Sequence, residues 1–442
     1  MNSVFDTNHL YKSYFKLALP LALGMMVSLI YNLADTYFVA LTNNTNLIAG
    51  VSLCTPLFNA LMAFGNIFGQ GGSSLVSRKL GAGDIDGTRR VSSFCFYSAA
   101  IVGVLLAFLT VIFKTPILSL LGATEETISY ASDYYTVMAI GSPIMVLSFV
   151  HSNLIRCEGL STNAMISTIA GAVINIVLDP LFIFTFGMGA FGAALATIIG
   201  NACSVVYCFF VVVRKCEDFS VNPNKCKINM SEFGSIVGVG FTAAIANLMS
   251  SVTMAINNQY LLPYGNDKIA ALGISFKVNM IPTMIITGLA FGGVPLFGYI
   301  YGSGDKKLLG KLLKFCTTFL CGVSLAISAV VFVFSNQFIG LFLKDSDLIS
   351  IGSEMLRFQC ATTVFVAVIM LLTVVFQAIG KVVPAFLLSI SRQGVVFLAA
   401  IVVCAKLFGY TGVIISQAVA DTLSAILAIV LYIYFNPTKV KK

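Results

Sequence analysis

The chain has 442 residues, of which 58% are hydrophobic and 10% charged, with a formal net charge of +8. Soluble domains are about 45–50% apolar and about 25% charged, so a water-soluble fold of this composition would have no polar surface. The composition excludes a soluble protein and points to a polytopic membrane protein. The basic excess lies between apolar runs, so it reads as a topology signal and not as a nucleic-acid surface.

Apolar runs of about 20 residues, enough to cross about 30 Å of hydrocarbon as a helix, recur along the chain. They predict twelve transmembrane helices, at about 14–41, 49–77, 92–114, 131–156, 163–185, 190–213, 236–262, 269–298, 311–335, 351–377, 384–405 and 410–434. A β-barrel would show shorter segments alternating with polar residues, and none do. Residues 1–13 are polar and the first apolar run is too long for a signal-peptide core, so no cleavable leader is expected. The tails and even-numbered connections hold 19 Lys and Arg, among them Arg78, Lys79, Arg89, Arg90, Lys439, Lys441 and Lys442. The odd-numbered connections hold only Lys114, Lys268, Lys344 and Lys406. That asymmetry predicts both termini in the cytoplasm.

The polar stretch from about 214 to 235 divides the chain into two six-span lobes, 1–225 and 226–442, and the two resemble each other. Gly71-Gly72 falls on Gly292-Gly293, Gly81, Gly83 and Asp84 on Gly302, Gly304 and Asp305, and Gly159 on Gly380. Gly189-x-x-Gly192 falls on Gly409-x-x-Gly412. Six is even, so both copies cross the membrane in the same sense. A pseudo-two-fold axis along the membrane normal is expected, with a cavity near the midplane and alternating access. Prolines at depth (Pro20, Pro56, Pro143, Pro180, Pro282, Pro295) are expected to bend or break their helices.

Ionisable residues inside spans are functional candidates. In the second half these are Lys277, Glu354, Arg357, Arg392 and Asp421. Glu354 and Arg357 lie one turn apart and can pair, and Asp421 can be matched by Lys277 or Arg392 in a polar network. The first half holds Asp35, in "NLADTYFVA", and Asp179, with no Lys or Arg at the same depth; Lys114 and Arg156 lie at span ends. One repeat later stand the uncharged Ile256 and Ala400. Two carboxylates without a base must be compensated by protons or by a bound cation. Asn175, one turn before Asp179, with Thr197, Asn201 and Gln70, offers further hard ligands of the kind Na⁺ prefers. Arrival of the ion would neutralise the site and let the first span rebend at Pro20.

Other signals carry less. "GQGGSS" lies inside a span and "GAGD" lacks a GK[ST] ending, so neither supports nucleotide binding. The 11 cysteines include no C-x-x-C and there are two histidines, so no zinc site or disulfide framework is expected. His151-Ser152 has no acid to orient it, and no enzymatic activity or cofactor is expected. Met25, Met26, Met62, Met249, Met254, Met280 and Met284, with many phenylalanines, suit either a soft drug-binding wall or lipid-facing filler.

Over essentially its whole length the chain resembles the multidrug and toxic compound extrusion (MATE) family, and within it the bacterial branch related to the DNA-damage-inducible exporters. The likeness rests on "LALPLALGMMVSLIYNLADTYFVA" (17–40), "GQGGSSLVSRKLGAGD" (69–84), "IRCEGLSTNAM" (155–165), "NIVLDPLFIFTFGMGAFGAALAT" (175–197) and "LLSISRQGVV" (387–396). It implies an all-α membrane protein with twelve helices in two six-helix bundles forming a V. It also implies export of cationic or amphipathic compounds across the bacterial cytoplasmic membrane by a monomeric antiporter against H⁺ or Na⁺. On this resemblance Asp35 and Asp179 are the motif acids, Asn175 and Thr197 complete the cation site, Pro20 is the kinking proline and Tyr31 the tyrosine beside the site. Another branch carries an acid on the seventh span, where this chain reads "TMAINNQYLL". A lipid-linked saccharide flippase of a related branch is the alternative, but flippases usually have more spans and a cationic cavity.

Overall fold

The computed structural model describes Phe5 and residues 9–438; Lys439, Lys441 and Lys442, counted above for topology, lie outside the described residues. Within that range every regular element is helical. The first six spans are α1 (Leu10–Ala40), α2 (Thr45–Gly81), α3 (Ile85–Ile112), α4 (Ile128–Ile140 with Ser142–Cys157), α5 (Ser161–Thr185) and α6 (Gly189–Lys215). The next four are α7 (Met230–Tyr264), α8 (Asp267–Gly302), α9 (Lys306–Val333) and α10 (Ser346–Ala361 with Thr363–Ala378). Val382–Phe435 is one apolar helical stretch of 54 residues, broken at Gly409 where φ is 57° and ψ −128°. That break separates α11 (382–408) from α12 (410–435), so the described residues provide the twelve spans that hydropathy predicts.

The breaks follow residue chemistry. α4 bends by 53° after Ile140 and α10 by 46° after Ala361, and Pro143 starts the second segment of α4 in its first turn. Pro56 and Pro295 likewise open segments just after the breaks at Cys54 and Gly293. Proline is tolerated there because those N–H groups have no intrahelical partner. Pro20 and Pro282 lie inside continuous helices.

The internal repeat is visible in the backbone. "GAGD" and its counterpart "GSGD" form the same device: Gly83 and Gly304 take φ of 75° and 80°, a conformation that glycine adopts without steric cost. Asp84 and Asp305 then cap α3 and α9 by accepting from the N–H of Gly87 and Leu308. The glycines are turn residues. Gly159 pairs in the same way with Gly380, at 79° and 75°.

By contact the chain forms two compact units. The first runs from Leu23 to Ala244; the second joins α1 as far as Ala22 to everything from Ile245 onward. Each unit therefore owns the beginning of the other half's leading helix. In the first, α7 crosses α2 so closely that a Cβ on Gly71 or Gly240 would meet the backbone of Ile236 or Ile67. In the second, a Cβ on Gly288 would lie 2.5 Å from Ala22 Cα, and Gly292 faces Ala18 in the same manner. Small residues let backbones approach where no hydrophobic effect drives association. Tyr14, fully buried, adds a hydrogen bond from its hydroxyl to Leu289 O at 2.8 Å.

The connector after α6 is held to the first unit by side chains reaching its backbone. The Glu158 carboxylate accepts from the N–H of Glu217 and Asp218 at 3.2 and 3.0 Å. Ser93 Oγ donates to Ser220 O and Tyr97 to Val221 O. Lys79 bridges Asp84 and Glu232 at 2.8 and 2.7 Å, joining the ends of α2, α3 and α7.

Candidate cation site in the first unit

Two helices deliver the carboxylates. α1 presents Tyr31 and Asp35 one turn apart on one face, and α5 presents Asn175 and Asp179 with the same spacing. Pro180 follows Asp179 and brings no N–H, and Leu181–Thr185 relax into a π-helical turn.

α5 and α6 touch backbone to backbone beside the site. A Cβ on Gly200 would sit 2.6 Å from Gly171 O, and one on Gly171 would sit 2.8 Å from Gly200 O. The hydroxyls of Ser167 and Ser204 each donate to the other residue's carbonyl, at 3.0 and 2.9 Å. This approach sets Asn175 against Thr197, with an amide terminal atom 3.4 Å from Thr197 Oγ1. With the amide oxygen turned to the Thr197 N–H at 3.2 Å, the amide nitrogen donates to Asp179 Oδ2 at 3.2 Å.

Asp179 is 0% exposed, Asn175 2% and Thr197 4%. Asp35 and Tyr31 are half-buried. The carboxyl groups of Asp35 and Asp179 lie within hydrogen-bonding reach of each other, and the phenols of Tyr31 and Tyr134 lie near both. Yet Asp35 Oδ1 and Asp179 Oδ1 are buried without a hydrogen-bond partner among the described residues. Two adjacent carboxylates repel when both are ionised; a shared proton or a bound cation relieves that.

Among the described residues no base pairs with either acid. Lys114 donates to Thr136 Oγ1 and Arg156 to Asn153 Oδ1, each at 2.7 Å. Among the described residues no three His, Cys, Asp or Glu side chains converge, so the donor set is oxygen and amide, suited to a hard cation. Asn201 donates to Thr197 O in its own helix at 2.9 Å, and Gln70 donates to Asn66 Oδ1 at 3.4 Å. Among the described residues neither bonds to the acids. Pro20 lies about three turns before Tyr31, in the part of α1 that packs in the second unit.

In the second unit Arg392 Nε donates to Asp421 Oδ1 at 2.9 Å, Gln417 Nε2 to the same oxygen at 3.0 Å, and Thr362 Oγ1 to Oδ2 at 3.1 Å. Lys277 is exposed and outside this network among the described residues. The pairing expected of Glu354 with Arg357 is not formed among them. A short helix, Ser335–Gly340, packs on α10 and offers Arg357 the Ser335 hydroxyl at 2.8 Å, while the guanidinium lies over the Phe332 ring.

Tyr134 of α4 is a neighbour of the candidate site that sequence reasoning missed. It is one of 16 tyrosines, in an apolar span with no motif around it, and only the packing of α4 brings it to the acids.

A family model described as MatE matches residues 20–181 and again residues 242–403. The multidrug export protein MepA of Staphylococcus haemolyticus is 34% identical over 96% of this chain and 93% of its own length. MepA of Staphylococcus saprophyticus is 32% identical over 97% and 94%. Among solved structures, an outward-facing multidrug resistance MATE family transporter of the MOP superfamily superposes with a TM-score of 0.90 at 25% identity, covering 97% of this chain and 96% of its own. A MOP superfamily transporter from Pyrococcus furiosus superposes with a TM-score of 0.89 at 25% identity, covering 97% of each.

Proposed function

Because the chain belongs to the MATE family, we propose that it is a secondary active exporter of cationic and amphipathic drugs, driven by antiport of H⁺ or Na⁺. Its lobes, 1–225 and 226–442, would alternate access as a monomer in the bacterial cytoplasmic membrane, with both termini inside. The Lys and Arg asymmetry between connections supports that orientation. Multidrug export by the MepA relatives supports the substrate class. The cycle needs no covalent step and no cofactor.

One observation carries the coupling: the contacting pair Asp35 and Asp179, each with a buried oxygen lacking a partner. Ionised, the pair offers a cationic drug its counter-charge. A proton or Na⁺ arriving from outside, held by Asp35 and Asp179 with Asn175 and Thr197, neutralises the pair. The drug loses its counter-ion and departs outward, and α1 rebends at Pro20. One charge crossing about 100 mV supplies about 2.3 kcal/mol, roughly fiftyfold in concentration.

The test is efflux of ethidium from proteoliposomes with the pH gradient and the Na⁺ gradient imposed separately. One gradient alone should drive efflux, and Asp35→Asn and Asp179→Asn should each abolish it while the protein still assembles. Full gradient-driven efflux in either variant would remove the site from the mechanism.

A further inference from the structure

The second unit contains an internal cavity that the coupling scheme does not use. Three amides line it, Asn257 of α7, Gln359 of α10 and Gln417 of α12, in a wall otherwise apolar, with Leu272, Phe276 and Met355. Asn257 is 4% exposed and Gln359 7%, and Asn257 Nδ2 and Gln359 Oε1 have no hydrogen-bond partner among the described residues. One cavity thus gathers an unmet donor and an unmet acceptor. It has room for about one water molecule.

Its position in the fold is informative. Asn257 lies on α7, which leads the second half as α1 leads the first, one residue past the position that the sequence repeat assigns to Asp35. Gly189 and Gly409 take φ of 53° and 57°, and eight residues beyond them stand Thr197 and Gln417. The cavity therefore lies on the counterparts of two helices of the acidic site, α7 for α1 and α12 for α6, with an amide on α7 where α1 carries a carboxylate.

Charge decides what it takes. Asp421, next to Gln417, is neutralised by Arg392 at 2.9 Å, so no net negative charge faces the cavity. A cation there would lose its hydration without a counter-ion, at a cost of several kcal/mol. A water accepts from Asn257 and donates to Gln359, satisfying both orphan groups. We propose that this cavity is a single-water site that excludes cations, so that ion coupling resides in the first unit alone. The second clause rests on the coupling reading above; the first does not.

Crystals of the full chain grown with thallium(I) chloride test both. Wild type should show a water about 3 Å from Asn257 Nδ2 and Gln359 Oε1, with no anomalous peak in the cavity. Asn257→Asp, or Gln359→Glu should the first not fold, should gain a thallium peak there, raising bound thallium by one ion per chain. Thallium in the wild-type cavity, a dry cavity, or two folded variants without a peak would overturn the proposal. Thallium missing at Asp35 and Asp179 would count against the Na⁺ form of the coupling reading and leave its H⁺ form and the water site standing.

Discussion

Among single residues, Arg392 and Glu158 show how a buried charge is judged by its partners. Removing one member of a buried pair leaves the other uncompensated, at about 3–5 kcal/mol. Arg392→Ala should therefore lower the melting temperature of the purified protein by many degrees, and Asp421→Asn added to it should recover part of the loss. A double variant no more stable than the single one would show that the pair is not coupled. Glu158, just past the end of α4, is pushed up to about 7 by burial and then by the nearby Asp218 carboxylate, against the hydrogen bonds from the connector. A carboxyl raised in the folded state stabilises it below the ordinary value of about 4.5 and loses that contribution as pH rises through the folded value. Thermal stability should fall between about pH 4.5 and pH 7, and Glu158→Gln should flatten that slope. Asp35 and Asp179 were legible because a carboxylate in an apolar run is conspicuous; Tyr134 was not, because an aromatic there looks like any other apolar residue.

Between helices, the α5–α6 contact builds the site. Gly171 and Gly200 bring the two backbones together, and only that approach lets Asn175 reach both Thr197 and Asp179. Gly200→Val should force the helices apart, destabilise the protein by about 1–3 kcal/mol and abolish gradient-driven efflux; wild-type efflux in a well-folded Gly200→Val protein would disconnect the helix contact from the site. The two glycines stand in plain view in the sequence, but glycines at span depth are common, and nothing local says which of them face each other. Prolines were only partly legible for a similar reason. Pro56, Pro143 and Pro295 mark breaks because they start new helical segments, whereas Pro20 and Pro282 are accommodated inside continuous helices.

At the scale of the molecule, each unit is completed by the start of the other half's leading helix. The second unit needs α1 up to Ala22 against Gly288 and Gly292, and the first needs the start of α7 against Gly71. Fragments 1–225 and 226–442 expressed separately should each be degraded or aggregate, and coexpression should restore a complex that exports ethidium; a stable, monodisperse 226–442 alone would count against the exchange. What the sequence determined by itself was what one-dimensional patterns encode: membrane residence, twelve spans, a duplicated unit with its turn glycines and caps, and two acids with no base at the same depth. Hydrocarbon imposes those patterns residue by residue, because every span must be apolar and every intramembrane charge is costly. The tertiary structure alone decided which groups meet. It set Asp35 against Asp179, gave Asp421 to Arg392 and left Lys277 outside, and gathered Asn257, Gln359 and Gln417 around one cavity. Contacts between residues far apart in the chain depend on how helix faces pack, and that rests on small differences in side-chain volume that no periodicity records.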